Sequence, residues 1–150
     1  MYNRMGSLVA ALVVMLWSST AGAVQIYSMF DNSLSTSSNK ANPPSIQELV
    51  QDSPGSTTSI EEAETPVPDG TFKQLVCVVE AAPGSGKHWV LTFFKNGGAS
   101  SLSCTISDTS RSCSDTTNTV AVSTGDRVTI LSFPFLSPAA TGGRCTLRFE

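Results

Sequence analysis

The sequence predicts an all-β fold, an antiparallel β-sandwich, and three observations carry that prediction. Six segments after Gly70 read as strands, separated by turn signals at short spacing. No segment after residue 70 has a helical period of apolar residues. Four cysteines lie in the second half of a chain that opens like an exported protein, which suits two staples across a small sandwich. The 150 residues amount to about one domain. Only 14% of residues are charged, against about a quarter in ordinary soluble domains. The deficit is filled by 23 Ser and 16 Thr. A formal net charge of −3 with one His disfavours a nucleic-acid binder with a basic stripe and a His-rich metal enzyme.

The N-terminal 23 residues follow the order of a secretory signal peptide. Arg4 precedes an apolar run from Leu8 to Trp17, and Ala21-Gly22-Ala23 supplies the small-residue cleavage pattern before Val24. That run is far shorter than the roughly 20 residues of a membrane span. No stable membrane span is expected after cleavage.

Residues 24–70 carry seven acids against one Lys, a balance of −6, whereas residues 71–150 carry seven bases and five acids, a balance of +2. Residues 24–58 read as one strand followed by an acidic, hydroxyl- and Pro-rich extended segment, and residues 59–150 as the sandwich core of a single domain, 24–150. Val24–Phe30 alternates as a strand. Residues 33–55 read as loop, with a marginal helical turn over Ser45–Val50 because Ser45 and Glu48 stand at capping-box spacing. Ser59–Val67 is an acidic, exposed or edge strand ended by Pro66 and Pro68.

The later strands are clearer. Leu75–Glu80 is an apolar run bounded by Pro83-Gly84. Trp89–Lys95 ends at Asn96-Gly97-Gly98, a hairpin signal. Leu102–Ser107 alternates, with Leu102, Cys104 and Ile106 on one face. Thr119–Ser123 leads into the Gly125-Asp126 turn, and Arg127–Phe133 and Arg144–Phe149 complete the set.

Several motifs invite chemistry and fail on context. Ala81–His88 imitates a phosphate loop, but Ala81 stands for its first Gly, His88 for its Ser/Thr, and a strand follows instead of a helix. It reads as a flexible inter-strand loop. His88 with Asp126 and a serine lacks a nucleophile elbow. Asp108, Asp115 and Asp126 are not at calcium-loop spacing and suit turn chemistry. No catalytic residue, metal ligand or cofactor is expected. Phe93, Phe94 and Phe149 fit core packing. The stretch Phe133-Pro134-Phe135-Leu136, followed by Ser137-Pro138, reads as a loop or sheet edge suited to a subunit contact through Phe133, Phe135 and Leu136.

Four cysteines permit three disulfide connectivities. Zinc would need closely paired ligands, and the shortest spacing, Cys104 to Cys113, leaves eight residues between. The polar stretch from Thr105 to Ser112 is long enough to turn back, so Cys104 is expected to meet Cys113 across a hairpin. Cys77 and Cys145, each inside an apolar strand, are then the remaining pair.

The order Leu75–Val79, Ala82-Pro83-Gly84, Lys95-Asn96-Gly97, Leu102–Ile106, Cys113-Ser114-Asp115-Thr116 and Val120–Val122 before Gly125-Asp126 resembles a family of uncharacterised bacterial and phage surface domains. Those domains are regarded as jelly rolls like tumour-necrosis-factor and complement-type globular heads. The resemblance covers residues 59–150 and implies a non-enzymatic, often trimeric, exposed module. The expected function is an exported, self-assembling structural or attachment module on a cell or virion surface. Its expected partner is itself, as a homotrimer, with a surface glycan or protein as a further ligand and no nucleic acid. The runner-up is a secreted monomer that binds a carbohydrate or other small ligand.

Overall fold

The structure, a computed structural model, describes residues 25–34, 36–42, 45–46 and 63–150. The signal segment 1–23 and most of the acidic segment, 47–62, lie outside the described residues. Among the described residues the strands are β1 (Gln25–Leu34), β2 (Lys40–Asn42), β3 (Ser45–Ile46), β4 (Thr65–Pro66), β5 (Gly70–Val79), β6 (Gly84–Lys95), β7 (Gly98–Asp108), β8 (Ser112–Val122), β9 (Arg127–Phe135) and β10 (Thr141–Phe149). One sheet has the order β3-β1-β10-β5-β8 and the other β2-β9-β6-β7, with β4 paired to β9 beside β2. Every pairing is antiparallel.

From β5 onward the chain crosses between sheets at every connection except the β6–β7 hairpin. Such crossing is the Greek-key winding of a jelly roll, and the fold is an antiparallel sandwich of that type. The core lies between the sheets. Phe72, Leu75, Trp89, Leu91, Phe93, Leu102, Ile106, Val128, Ile130 and Leu147 are all essentially inaccessible. Each such side chain contributes about 1.5–3 kcal/mol by leaving water. The Phe72 ring sits 4.8 Å from Phe93 and 4.7 Å from Phe149, linking three strands across both sheets. Gly143 admits Leu34 to this core, because a Cβ there would come within 2.8 Å of Leu34 Cδ1.

Several sequence expectations are corrected. The stretch 33–55 is not all loop: β1 runs on to Leu34, and β2 and β3 pair at the two sheet edges. Ser45 belongs to β3, not to a helical turn, because its backbone pairs with Ser28. Of the acidic strand expected over 59–67, the described part contains only Thr65–Pro66, and Pro66 is inside it at an edge. Gly84–Lys87 is not a flexible loop but the start of β6, joined to Asp108 through a bulge between Gly84 and His88. Phe133–Phe135 is strand as well. Pro134 is tolerated there because β2 stops opposite Ser132, so no described strand borders it on that side.

The structure pairs Cys77 with Cys145 and Cys104 with Cys113. The first bond lies within one sheet, between register partners of β5 and β10. The second is not a bridge within one sheet's hairpin. Strands β7 and β8 belong to opposite sheets, so this bond fastens the sheets to each other.

Candidate functional site

Two apolar surfaces stand out among the described residues. The first surface is the tip where β9 ends. Phe135 is 52% exposed and Leu136 64%. Register places His88 of β6 opposite Phe135, and the two rings stack at 4.4 Å with 19° between their planes. Leu136 and Ser137 both adopt left-handed φ values, +58° and +51°. Such a conformation costs a residue with a Cβ about 1–2 kcal/mol. The buried Pro138 and the hydrogen bond from the Ala139 N–H to the Pro83 carbonyl, 3.1 Å, hold the turn in place. The backbone thus maintains a strained turn that keeps a large apolar side chain in solvent.

Phe133 does not share this exposure. Its ring lies 6.0 Å from Phe94, in a small cluster with Leu131, Ala41 and Ala63 on the outer face of the β9 sheet. The three residues expected to form a subunit contact are therefore split: Phe135 and Leu136 at the surface, Phe133 packed beneath.

The second surface is on the outer face of the other sheet. Ile26, Gln74, Val76, Thr146, Leu147 and Arg148 line an open groove of about 350 Å³. Its walls come from β1, β10 and β5, and Ile26 and Val76 are 51% and 40% exposed. A bulge creates it. Phe72 and Leu75 both face the core although three residues apart, so Gln74 is extra and takes φ +55°. That extra residue turns Val76 outward. Lys73 and Arg148 both pair with Glu150 at the groove's end.

The acidic residues hold turns together. Asp115 accepts hydrogen bonds from the Ser103, Thr117 and Asn118 N–H groups and from Asn118 Nδ2, at 2.8–3.1 Å. Burial raises its pKa, but these four donors outweigh burial and hold the carboxyl at about 2, below the usual 3.8. Asp126 accepts from Lys95 Nζ at 2.7 Å, Ser123 N–H at 2.9 Å and Asn96 Nδ2 at 2.7 Å. The Lys95 bond first, then the other two, keep it well below the carboxylate range. Asp108 receives the Gly86 N–H at 2.7 Å. Asp115 and Asp126 each accept from N–H groups two or three residues away, the turn chemistry read from the sequence, whereas Asp108 accepts across strands from Gly86 of β6.

No catalytic arrangement connects His88 to Asp126. Asp126 is bonded to Lys95, and His88 lies seven residues earlier on the same extended strand, about 23 Å away at roughly 3.3 Å per residue. The sulfurs of Cys77, Cys104 and Cys113 lie within 4.8 Å of one another, a convergence the sequence spacing concealed, but each is held in a disulfide. Among the described residues, no helix is long and apolar enough to cross a membrane.

No family model and no curated protein matches the chain. Among solved structures, it is similar to murine APRIL, with 16% identity and a TM-score of 0.42 over 83% of this chain and 98% of that one. The alternation of β5 to β10 between two antiparallel sheets is what identifies the chain as a disulfide-stapled jelly-roll sandwich.

Proposed function

We propose that this chain is a non-enzymatic, exported module that assembles with copies of itself, as a trimer, and serves structure or attachment on a cell or virion surface. The observation that carries the reading is the apolar tip. Phe135 and Leu136 stay in solvent on a backbone turn that is costly to maintain. A monomer gains nothing from holding Leu136 out, whereas a partner surface recovers that cost by covering it. Export is supported by the signal-like order of residues 1–23 and by the two disulfides, which suit an oxidising compartment. Size-exclusion chromatography with light scattering tests the reading. The wild type should run as an oligomer, and the double variant Phe135→Ser, Leu136→Ser as a monomer.

The outer groove favours a second reading, a monomeric binder of a carbohydrate or other small ligand. Ile26 and Val76 offer apolar contact, while Gln74, Thr146 and Arg148 supply polar groups beside it. A wild-type chain that is monomeric in dilute solution and loses ligand on Val76→Asp would favour this reading over assembly.

A further inference from the structure

Three of the four cysteines form one row across a sheet. Cys145 of β10 is the register partner of Cys77 of β5, and Cys77 is in turn the register partner of Cys113 of β8. Because β5 lies between β10 and β8, Cys77 has Cys145 on one side and Cys113 on the other. Cys104 approaches from the facing sheet and is bonded to Cys113. The Cys113 sulfur lies within 4.8 Å of the Cys77 sulfur. Exposure is uneven along this chain of sulfurs: Cys77 and Cys145 are 1% exposed and Cys104 8%, while Cys113 is only partly buried.

We infer that Cys113 is a thiol–disulfide exchange site, through which a small external dithiol opens the inter-sheet bond and the break then passes to the buried Cys77–Cys145 bond. The external thiolate attacks the Cys113 sulfur, the more accessible end. A mixed disulfide forms, and Cys104 leaves as a thiolate that takes a proton. The second thiol of the reagent attacks the reagent's own sulfur in the mixed disulfide, so the reagent departs as its cyclic disulfide and Cys113 is left as a thiolate. Two electrons have then moved from the dithiol to the protein.

The next step is internal and needs no reagent. The Cys113 thiolate attacks the Cys77 sulfur, the Cys77–Cys113 bond forms, and Cys145 leaves on the far side and is protonated. Exchange requires the attacking sulfur to reach Cys77 from the side away from the leaving Cys145, and the row across β10, β5 and β8 sets Cys113 on that side with its sulfur within 4.8 Å. The released Cys145 thiol sits in apolar surroundings, where a neutral thiol behaves as a small hydrophobe. The link between the sheets is lost, and sheet β3-β1-β10-β5-β8 keeps one internal bond.

The test titrates the full native chain with limiting dithiothreitol, quenches in acid, alkylates with N-ethylmaleimide and maps the peptides without reduction. Molecules that have gained two electrons should yield a Cys77–Cys113 peptide, with label on Cys104 and Cys145. Half-reduced molecules that keep only Cys77–Cys145, labelled at Cys104 and Cys113, would overturn the inference. So would both bonds opening together. The variant Cys104→Ser provides a check without reductant, since it leaves Cys113 unpaired from the start. Both Cys77–Cys145 and Cys77–Cys113 forms should then be found, and Cys77–Cys145 alone would count against exchange. Should that variant fail to fold, the wild-type titration decides.

Discussion

Asp115 shows how one carboxylate replaces a run of strand pairing. Between Lys73 and Leu75 on β5 there is one residue, Gln74, while between their partners Thr119 and Asp115 on β8 there are three. The Thr117 and Asn118 N–H groups, left without a ladder at this bulge, donate to Asp115 instead. Its other oxygen takes the Ser103 N–H and Asn118 Nδ2, tying β8 to β7 at the sandwich edge. Asp115→Asn places an amide among these donors and should destabilise the fold by about 1–3 kcal/mol near neutral pH. Because the folded-state pKa is depressed from 3.8 to about 2, the carboxylate's contribution is complete above about pH 4. It is lost as pH falls through about 2. Urea unfolding of both proteins at pH 6 and at pH 2 should show the gap between them shrinking with acid, and a gap independent of pH would refute this role.

At the scale of elements, the strands with apolar runs were legible and the polar ones were not. Trp89–Lys95, Leu102–Ser107, Arg127–Phe133 and Arg144–Phe149 all fall within strands that are longer in the structure by a few residues, and Leu75–Glu80 matches the second half of β5 except for Glu80, which lies just past its end. Strand β8 was visible only from Thr119, because Ser112–Asn118 contains no large apolar residue. It is strand through its pairing with β5 and the Cys104–Cys113 bond, both long-range facts. The outer groove was hidden for a related reason. Simple alternation along β5 puts Val76 on the same face as Phe72, and the Gln74 bulge reverses that parity. The split of Phe133 from Phe135 and Leu136 was equally out of reach, since it depends on Phe94, Ala41 and Ala63 converging on one side of β9. The disulfides give a prediction at this scale. Cys77 and Cys145 close a separation of 68 residues and Cys104 and Cys113 one of 9. On the chain-entropy account these are worth about 4 and about 2–3 kcal/mol. Cys145→Ser should therefore lower the urea midpoint more than Cys113→Ser. The reverse order would show that fastening sheet to sheet matters more than closing the long loop.

At the scale of the whole molecule, the proposed function joins export to assembly. If residues 1–23 form a cleaved signal, mass spectrometry of exported protein should find a chain beginning at Val24. An intact Met1 in assembled material would instead favour a retained anchor or arm. Few residues of the chain are charged, 14% against about a quarter in ordinary soluble domains, so little charge repulsion opposes association. On the proposed reading, Phe135 and Leu136 at the exposed tip would direct where association occurs. The measurement that bears most directly on the proposal is multi-angle light scattering of the purified chain at micromolar concentration, beside its Phe135→Ser, Leu136→Ser variant. The wild type should have three times the mass of one chain and the variant the mass of one. A monomeric wild type, or an oligomer that survives both substitutions, would contradict assembly through the β9 tip.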